Sequence, residues 1–182
     1  PEQIKATNTD YKFSFNPVKS LSKTLDKLAS SDFYEEKVPK KSKEFFQKRY
    51  IDHPYFQYRF HEINTNNLFC GFVVSRELRV KSASVLRIIE VVCDDNNVSS
   101  VVNDFANILK NSDHEYIDVY ASNLNKEILE QNYEDISNSE GLIVPDHFSP
   151  FSKKNIDILY STTSKQDIHL FKGDGDQDRP NL

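Results

Sequence analysis

The chain has 182 residues, 37% of them hydrophobic, and a net charge of −5. That length suits one domain, which would bury roughly two-thirds of its unfolded surface without disulfide or metal staples. The acidic balance excludes broad nucleic-acid binding, which needs a basic face. No apolar run reaches the ~18 residues that cross a bilayer and no signal peptide precedes the domain, so no membrane partner is expected and the cytoplasm is the expected compartment.

Rings at Tyr11, Phe13 and Phe15 alternate with polar residues, a strand pattern over 11–15 that Asn16-Pro17 should break. Val18, Leu21, Leu25 and Leu28 form one helical stripe. A second helix is predicted over 40–51, carrying Phe45, Phe46 and Tyr50 and ending before His53-Pro54, because a residue preceding proline is pushed out of the helical region. Strands follow over 57–63, 68–80 and 84–93, joined closely enough to be antiparallel neighbours. The Asn64-Thr65-Asn66-Asn67 stretch between the first two tolerates left-handed backbone. Apolar residues on both faces (Phe69, Cys70, Phe72, Val73, Val74; then Ile88, Ile89, Val91, Val92) predict strands covered on both sides.

Val98, Val101, Val102, Phe105, Ile108 and Leu109 mark one helix over 98–109. A strand over 115–120 comes next, reached by a connection long enough for a right-handed parallel crossover, then a helix over 124–133. Late strands are expected over 142–144, 156–160 and 168–171. The domain is expected to span 1–172, with a polar tail over 173–182 that is extended or frayed. The fold class is therefore α/β in the α+β sense: a mixed, mostly antiparallel sheet with helices on both faces. Cys70 and Cys93 sit in apolar runs and read as buried thiols. The lysines Lys37, Lys40, Lys41 and Lys43, and Lys153 with Lys154, read as solvated loops or helix starts.

This element order resembles the GNAT acyltransferase fold. The stretch Gln47-Lys48-Arg49-Tyr50-Ile51-Asp52-His53-Pro54-Tyr55-Phe56-Gln57-Tyr58 is similar to a signature of GNAT-like proteins from bacterial surface-polysaccharide and sugar-modification clusters. The stretches Glu115-Tyr116-Ile117-Asp118-Val119-Tyr120 and Pro145-Asp146-His147-Phe148-Ser149-Pro150-Phe151, with the tail from Gly173 to Asn181, resemble the same group, and the resemblance implies that this tail folds back onto the domain near the acceptor cleft. The resemblance implies an N-acyltransferase using acetyl-CoA or another acyl-CoA. Its acceptor would be a nucleotide-linked amino sugar. Resembling chains tend to carry a preceding transferase-like half, so a GNAT-like partner half or a homodimer is implied as well.

In that fold the donor's pyrophosphate rests on backbone N–H groups where a strand hands over to a helix, a place of partial positive charge where glycines allow close approach. Here the matching run, Cys93-Asp94-Asp95-Asn96-Asn97-Val98-Ser99-Ser100, has no glycine and no basic residue. Asp94 and Asp95 oppose a diphosphate and read more simply as helix caps. Asn97, Ser99 and Ser100 are the remaining donors for a cofactor. For proton transfer, Tyr120 and Asp118 share one face of a strand, with Tyr120 a candidate acid and the alternative that it is a satisfied core tyrosine. Arg49, His53, His147 and Arg179 are candidate substrate-binding residues; His53 could equally fix a turn through its ring nitrogens. The Asp174-Gly175-Asp176-Gln177-Asp178 run imitates the first half of a calcium loop but lacks its closing glutamate, and no zinc spacing occurs, so no metal is expected. A non-catalytic GNAT-like binding domain, or a structural module in an assembly, remain open beside the enzyme.

Overall fold

The computed structural model describes residues 12–133, 161–163 and 168–175. The strands expected over 142–144 and 156–160, the Lys153-Lys154 pair, Tyr11, His147, Arg179 and the tail beyond 175 lie outside the described residues.

The first strand, β1 (Ser14–Pro17), runs through the Asn16-Pro17 pair that was expected to end it. The reason is position: among the described residues β1 lies at one end of the sheet and pairs only with β2 (Arg59–Thr65). Val18 N donates to Phe60 O at 2.9 Å. Alternation along the strand therefore turns Pro17, which has no N–H, away from β2, where nothing is lost. Helix α1 (Leu21–Ala29) follows the predicted stripe and buries Leu25 and Leu28. A short helix α2 (Asp32–Glu35), not anticipated, buries Tyr34. The helix expected over 40–51 is α3 (Lys43–Phe46), capped by Ser42 accepting from Phe45 N at 3.1 Å. It widens into a π-helical turn, Gln47–Ile51, closed by Asp52 N donating to Gln47 O at 2.9 Å.

β2 turns into β3 (Leu68–Val80) through Asn66 and Asn67, both at positive φ (49° and 64°), the geometry of a tight primed hairpin turn. β3 pairs antiparallel with β4 (Ala83–Cys93). Two irregularities bend the sheet. One leaves Cys70 unpaired against β2, and the other leaves Ile89 unpaired against β3. Gly71, beside the first, has φ 144°, and a Cβ there would lie 2.0 Å from Val92 O.

From β4 a 3-10 turn (Asp95–Asn97) leads to α4 (Val98–Asn103) and α5 (Phe105–Lys110). One continuous helix was expected. The interruption falls at Asp104, whose buried carboxylate accepts from Phe13 N at 2.8 Å and ties the start of β1 to the helix. β5 (Tyr116–Val119) returns parallel to β4, as the crossover predicted. Only residues 126–129 of the helix expected over 124–133 form one, α6 (Lys126–Leu129), docked by Tyr133 Oη donating to Val102 O at 2.8 Å.

The sheet order is β1-β2-β3-β4-β5. On one face, Ile63, Val73, Leu86, Ile88 and Val91 pack against Val98, Val101, Val102 and Phe105 of α4 and α5. On the other, Phe60, Phe72, Val74, Ile89 and Val92 pack against Leu25, Leu28, Tyr34, Phe46 and Tyr50. The fold is thus the mixed, mostly antiparallel sheet with helices on both faces that the sequence implied. No helix among the described residues is long and apolar enough to cross a membrane.

Candidate functional site

β4 and β5 pair only over residues 85–88 and 116–119. Beyond Ile88, β4 continues to Cys93 while β5 ends at Val119, so their ladder stops there and leaves a gap in the pairing. The segment 168–175 runs into this gap. Phe171 bridges to Ala121, and Ser122 N donates to Leu170 O at 3.0 Å. A 3-10 turn, Lys172–Asp174, then lies against β4, held by Phe171 N donating to Asp174 Oδ2 at 2.8 Å. Gly173 is so close that an added Cβ would lie 2.3 Å from Tyr50 Oη and 3.2 Å from both Glu90 Oε2 and Ile89 O. Of the two expectations for the tail, frayed or folded back, its first described residues follow the second: Gly173 is buried beside Lys172, the last residue of the expected domain. Arg49 anchors it further, its guanidinium donating to Gly175 O at 3.0 Å.

Under this turn lies a buried polar cluster. The unpaired Ile89 shifts the alternation of β4, so that Glu90 faces the α1–α3 side at 3% exposure. Its carboxylate accepts from Tyr50 Oη and pairs with Lys41 Nζ. The same ammonium reaches Asp174 Oδ1 at 2.6 Å. Burial pushes the Glu90 carboxyl above its ordinary range, against the pull of Lys41 and with the help of the Asp174 charge. Burial works against charge on Lys41 too, yet its two carboxylates outweigh it and hold the ammonium protonated. The Tyr50 phenol is pushed far up by burial and the neighbouring carboxylate, so it stays a hydrogen-bond donor. Beside Glu90, the 37–41 loop, β4 and the turn enclose a cavity of about 20 Å³.

A second group flanks the gap from β5. Asp118 Oδ2 accepts from Arg87 Nε at 2.6 Å across the β4–β5 register and stands 3.5 Å from the buried Lys172 Nζ. Lys172 Nζ also sits 4.3 Å from the centre of the Tyr120 ring. Asp118 and Tyr120, read from the sequence as sharing a face, are therefore joined through one buried ammonium.

The run expected to meet a cofactor begins where β4 ends. Asp94 Oδ1 accepts from Asn96 N at 2.8 Å, the cap anticipated for it. Asp95 pairs with Lys37, whose Nζ also donates to Cys93 O at 2.9 Å. The basic group missing from this run in sequence thus arrives from the loop after α2. Lys37 and Lys41 are mostly buried and paired, unlike the solvated lysines that were expected. Lys12 Nζ donates to Asn97 Oδ1 at 3.0 Å. Ser99 Oγ accepts from Asn125 N at 2.8 Å, tying α4 to the loop before α6, and the Ser100 carbonyl accepts from Asp104 N at 3.0 Å. His53 Nδ1 accepts from Tyr55 N at 3.2 Å and Phe56 N at 3.0 Å, and its ring stacks on Phe56, so it fixes the turn before β2. Burial pushes the Cys93 thiol up to about 12, as suits a small hydrophobe.

The structure therefore brings Asp118, Tyr120 and Arg49 to the gap and leaves Asn97, Ser99, Ser100 and His53 on contacts of their own. It adds Glu90 and Lys172, which the sequence did not single out, with Lys41, Tyr50 and Asp174, which it read as a solvated lysine, a helix ring and part of an incomplete calcium loop. One signal was available: Glu90 is a lone carboxylate inside the apolar run from Ile88 to Val92. Among the described residues, no group of three or more His, Cys, Asp or Glu side chains is placed to hold a metal ion.

No protein-family model matches the chain, and no curated protein matches it. Among solved structures it is similar to an aminoglycoside acetyltransferase from an uncultured soil metagenomic sample, in complex with sisomicin. That likeness has 12% identity and a TM-score of 0.41 over 85% of this chain and 97% of that one. A second aminoglycoside acetyltransferase, also from an uncultured soil metagenomic sample, matches at 11% identity and a TM-score of 0.42, over 82% and 99%. An integron cassette protein from the mobile metagenome of V. cholerae matches at 13% identity and a TM-score of 0.42, covering 82% of this chain and 93% of its own.

Proposed function

We propose that this chain is an acyltransferase that moves an acyl group from acyl-CoA to an amine of a small molecule at the gap between β4 and β5. The observation that carries the reading is the gap in the pairing of these strands, with a buried carboxylate, Glu90, on one lip and Tyr120 beyond the other. The amine lone pair attacks the thioester carbonyl, a C–N bond forms and the C–S bond breaks. The amine then loses a proton and the sulfur gains one. Such a reaction needs orientation and one proton acceptor rather than a covalent nucleophile. Glu90 suits the acceptor role because burial raises its basicity. The 20 Å³ cavity beside it has room for one relaying water. Asp118, paired with Arg87 and Lys172, positions the Lys172 ammonium against Tyr120, which protonates the departing sulfur.

In this reading the Lys37 ammonium offsets Asp94 and Asp95 where the donor's phosphates approach, with Asn97, Ser99 and Ser100 at the start of α4. The acceptor proposed is a nucleotide-linked amino sugar, held by Arg49, with His147 and Arg179 as further contacts. The test is calorimetry with acetyl-CoA, followed by release of free CoA thiol in the presence of a UDP-linked amino sugar. Saturable heat is expected, with Tyr120→Phe and Glu90→Gln each lowering turnover about a hundredfold while leaving acetyl-CoA binding unchanged. An absence of heat with the wild-type chain would sink the enzyme and leave a non-catalytic binding domain.

A further inference from the structure

On the opposite face of the sheet from Glu90, a cavity of about 260 Å³ opens between α5 and the strands. Phe15, Leu86, Ile88 and Ile108 give it apolar walls. Two polar side chains lie at its base. Ser75 is 1% exposed and its hydroxyl has no hydrogen-bond partner among the described residues. His61, from the neighbouring strand, points to the same face, since His61 pairs with Val73 and Arg59 with Ser75. Burial and the Arg59 charge both push the His61 imidazole down, so it lines the cavity as a neutral ring. The mouth carries amides: Asn111 Nδ2 donates to Asn107 O and Oδ1, both at 2.8 Å. Among the described residues, no carboxylate, ammonium or guanidinium belongs to the lining.

A buried hydroxyl without a partner loses the hydrogen bonds that water gave it, so such groups are rare unless something meets them. An apolar chamber of ~150 Å³ is enough to take benzene, and this one is larger and has a polar floor. Apolar walls with a few convergent polar groups are the usual make-up of a small-molecule site.

We infer that this cavity is a second binding site, for a small uncharged molecule with one aromatic or cyclic apolar body and one hydroxyl or amide that meets Ser75 and His61. The body fills the space between Phe15, Ile88 and Ile108. The polar group exchanges hydrogen bonds with Ser75 Oγ and the imidazole, each of which can donate or accept. An anion is excluded because the lining supplies no cation and the nearby Arg59 guanidinium is already paired with Glu77 Oε2 at 2.6 Å. The site is independent of the acyl-transfer reading: it shares no residue with the gap between β4 and β5.

Phenol is the probe and benzoate the charged control. Titration of the full chain, followed by the methyl resonances of Leu86, Ile88 and Ile108, should give saturable shifts with phenol and none with benzoate. Ser75→Ala should weaken phenol about tenfold while the methyl spectrum stays folded. Ile108→Trp, which fills the chamber, should abolish the shifts. The inference is overturned if phenol gives no saturable shift up to its solubility limit, if benzoate binds as well as phenol, or if Ser75→Ala binds phenol unchanged.

Discussion

Lys41 stands between two carboxylates, Glu90 and Asp174, with its side chain only 11% exposed. A buried ion pair adds little to stability against an apolar replacement of the whole group, but removing one partner leaves an uncompensated charge. Lys41→Met should therefore destabilise the fold by ~3–5 kcal/mol in urea unfolding. Adding Glu90→Leu should recover much of that loss, because the stranded carboxylate goes with it. A double variant no more stable than Lys41→Met would show that the lysine acts mainly through Asp174. The sequence placed Lys41 among solvated lysines because charge runs are usually wet. What overrode that rule is tertiary: Glu90 and Asp174 are 49 and 133 residues away along the chain, and no local pattern reports such a meeting.

At the level of elements, the strands were the most legible part. β3 has the bounds the apolar run implied, and β4 begins only one residue early. The helices were less so. The stripe over 98–109 was right in phase, yet Asp104 spends its carboxylate on the backbone of Phe13 and splits the helix, a long-range bond hidden from periodicity. The π-helical turn was equally invisible, since a one-residue widening leaves the apolar spacing almost unchanged. Of the candidate site, Asp118 and Tyr120 were readable as a strand face. The folding back of the tail was implied by the resemblance alone, and its contact with Glu90 was not legible, because no local pattern marks Gly173 as a close approach. The turn at Gly173 can be probed directly. In Gly173→Ala the new methyl meets Tyr50 Oη, so the turn must lift. Hydrogen exchange should accelerate at the amides of Asp174 and Gly175, which donate to Phe171 O and Lys172 O, while β3 and β4 keep their protection. Unchanged exchange at those two amides would show that Tyr50 yields instead.

For the molecule as a whole, His61 sets a dependence on acidity. Its folded-state value lies below the ordinary histidine value, so between the two the unfolded chain binds more protons. The contribution is fully present above about pH 6.5 and is lost as the pH falls through the folded value. Melting temperature should therefore drop on acidification below ~6.5, and His61→Gln, which stays neutral, should flatten that part of the profile. An equally steep profile in the variant would assign the acid sensitivity to another group.

The outer rim of β1 carries a consequence of its own. Bare strand edges invite neighbouring chains to add on, and long flat ones seed fibres. Among the described residues this rim is four residues long, and Pro17 removes a donor from the side that faces away from β2. A visiting strand would find an incomplete ladder there, so the proline that looked like an interruption in the sequence works as a guard against self-association at this edge.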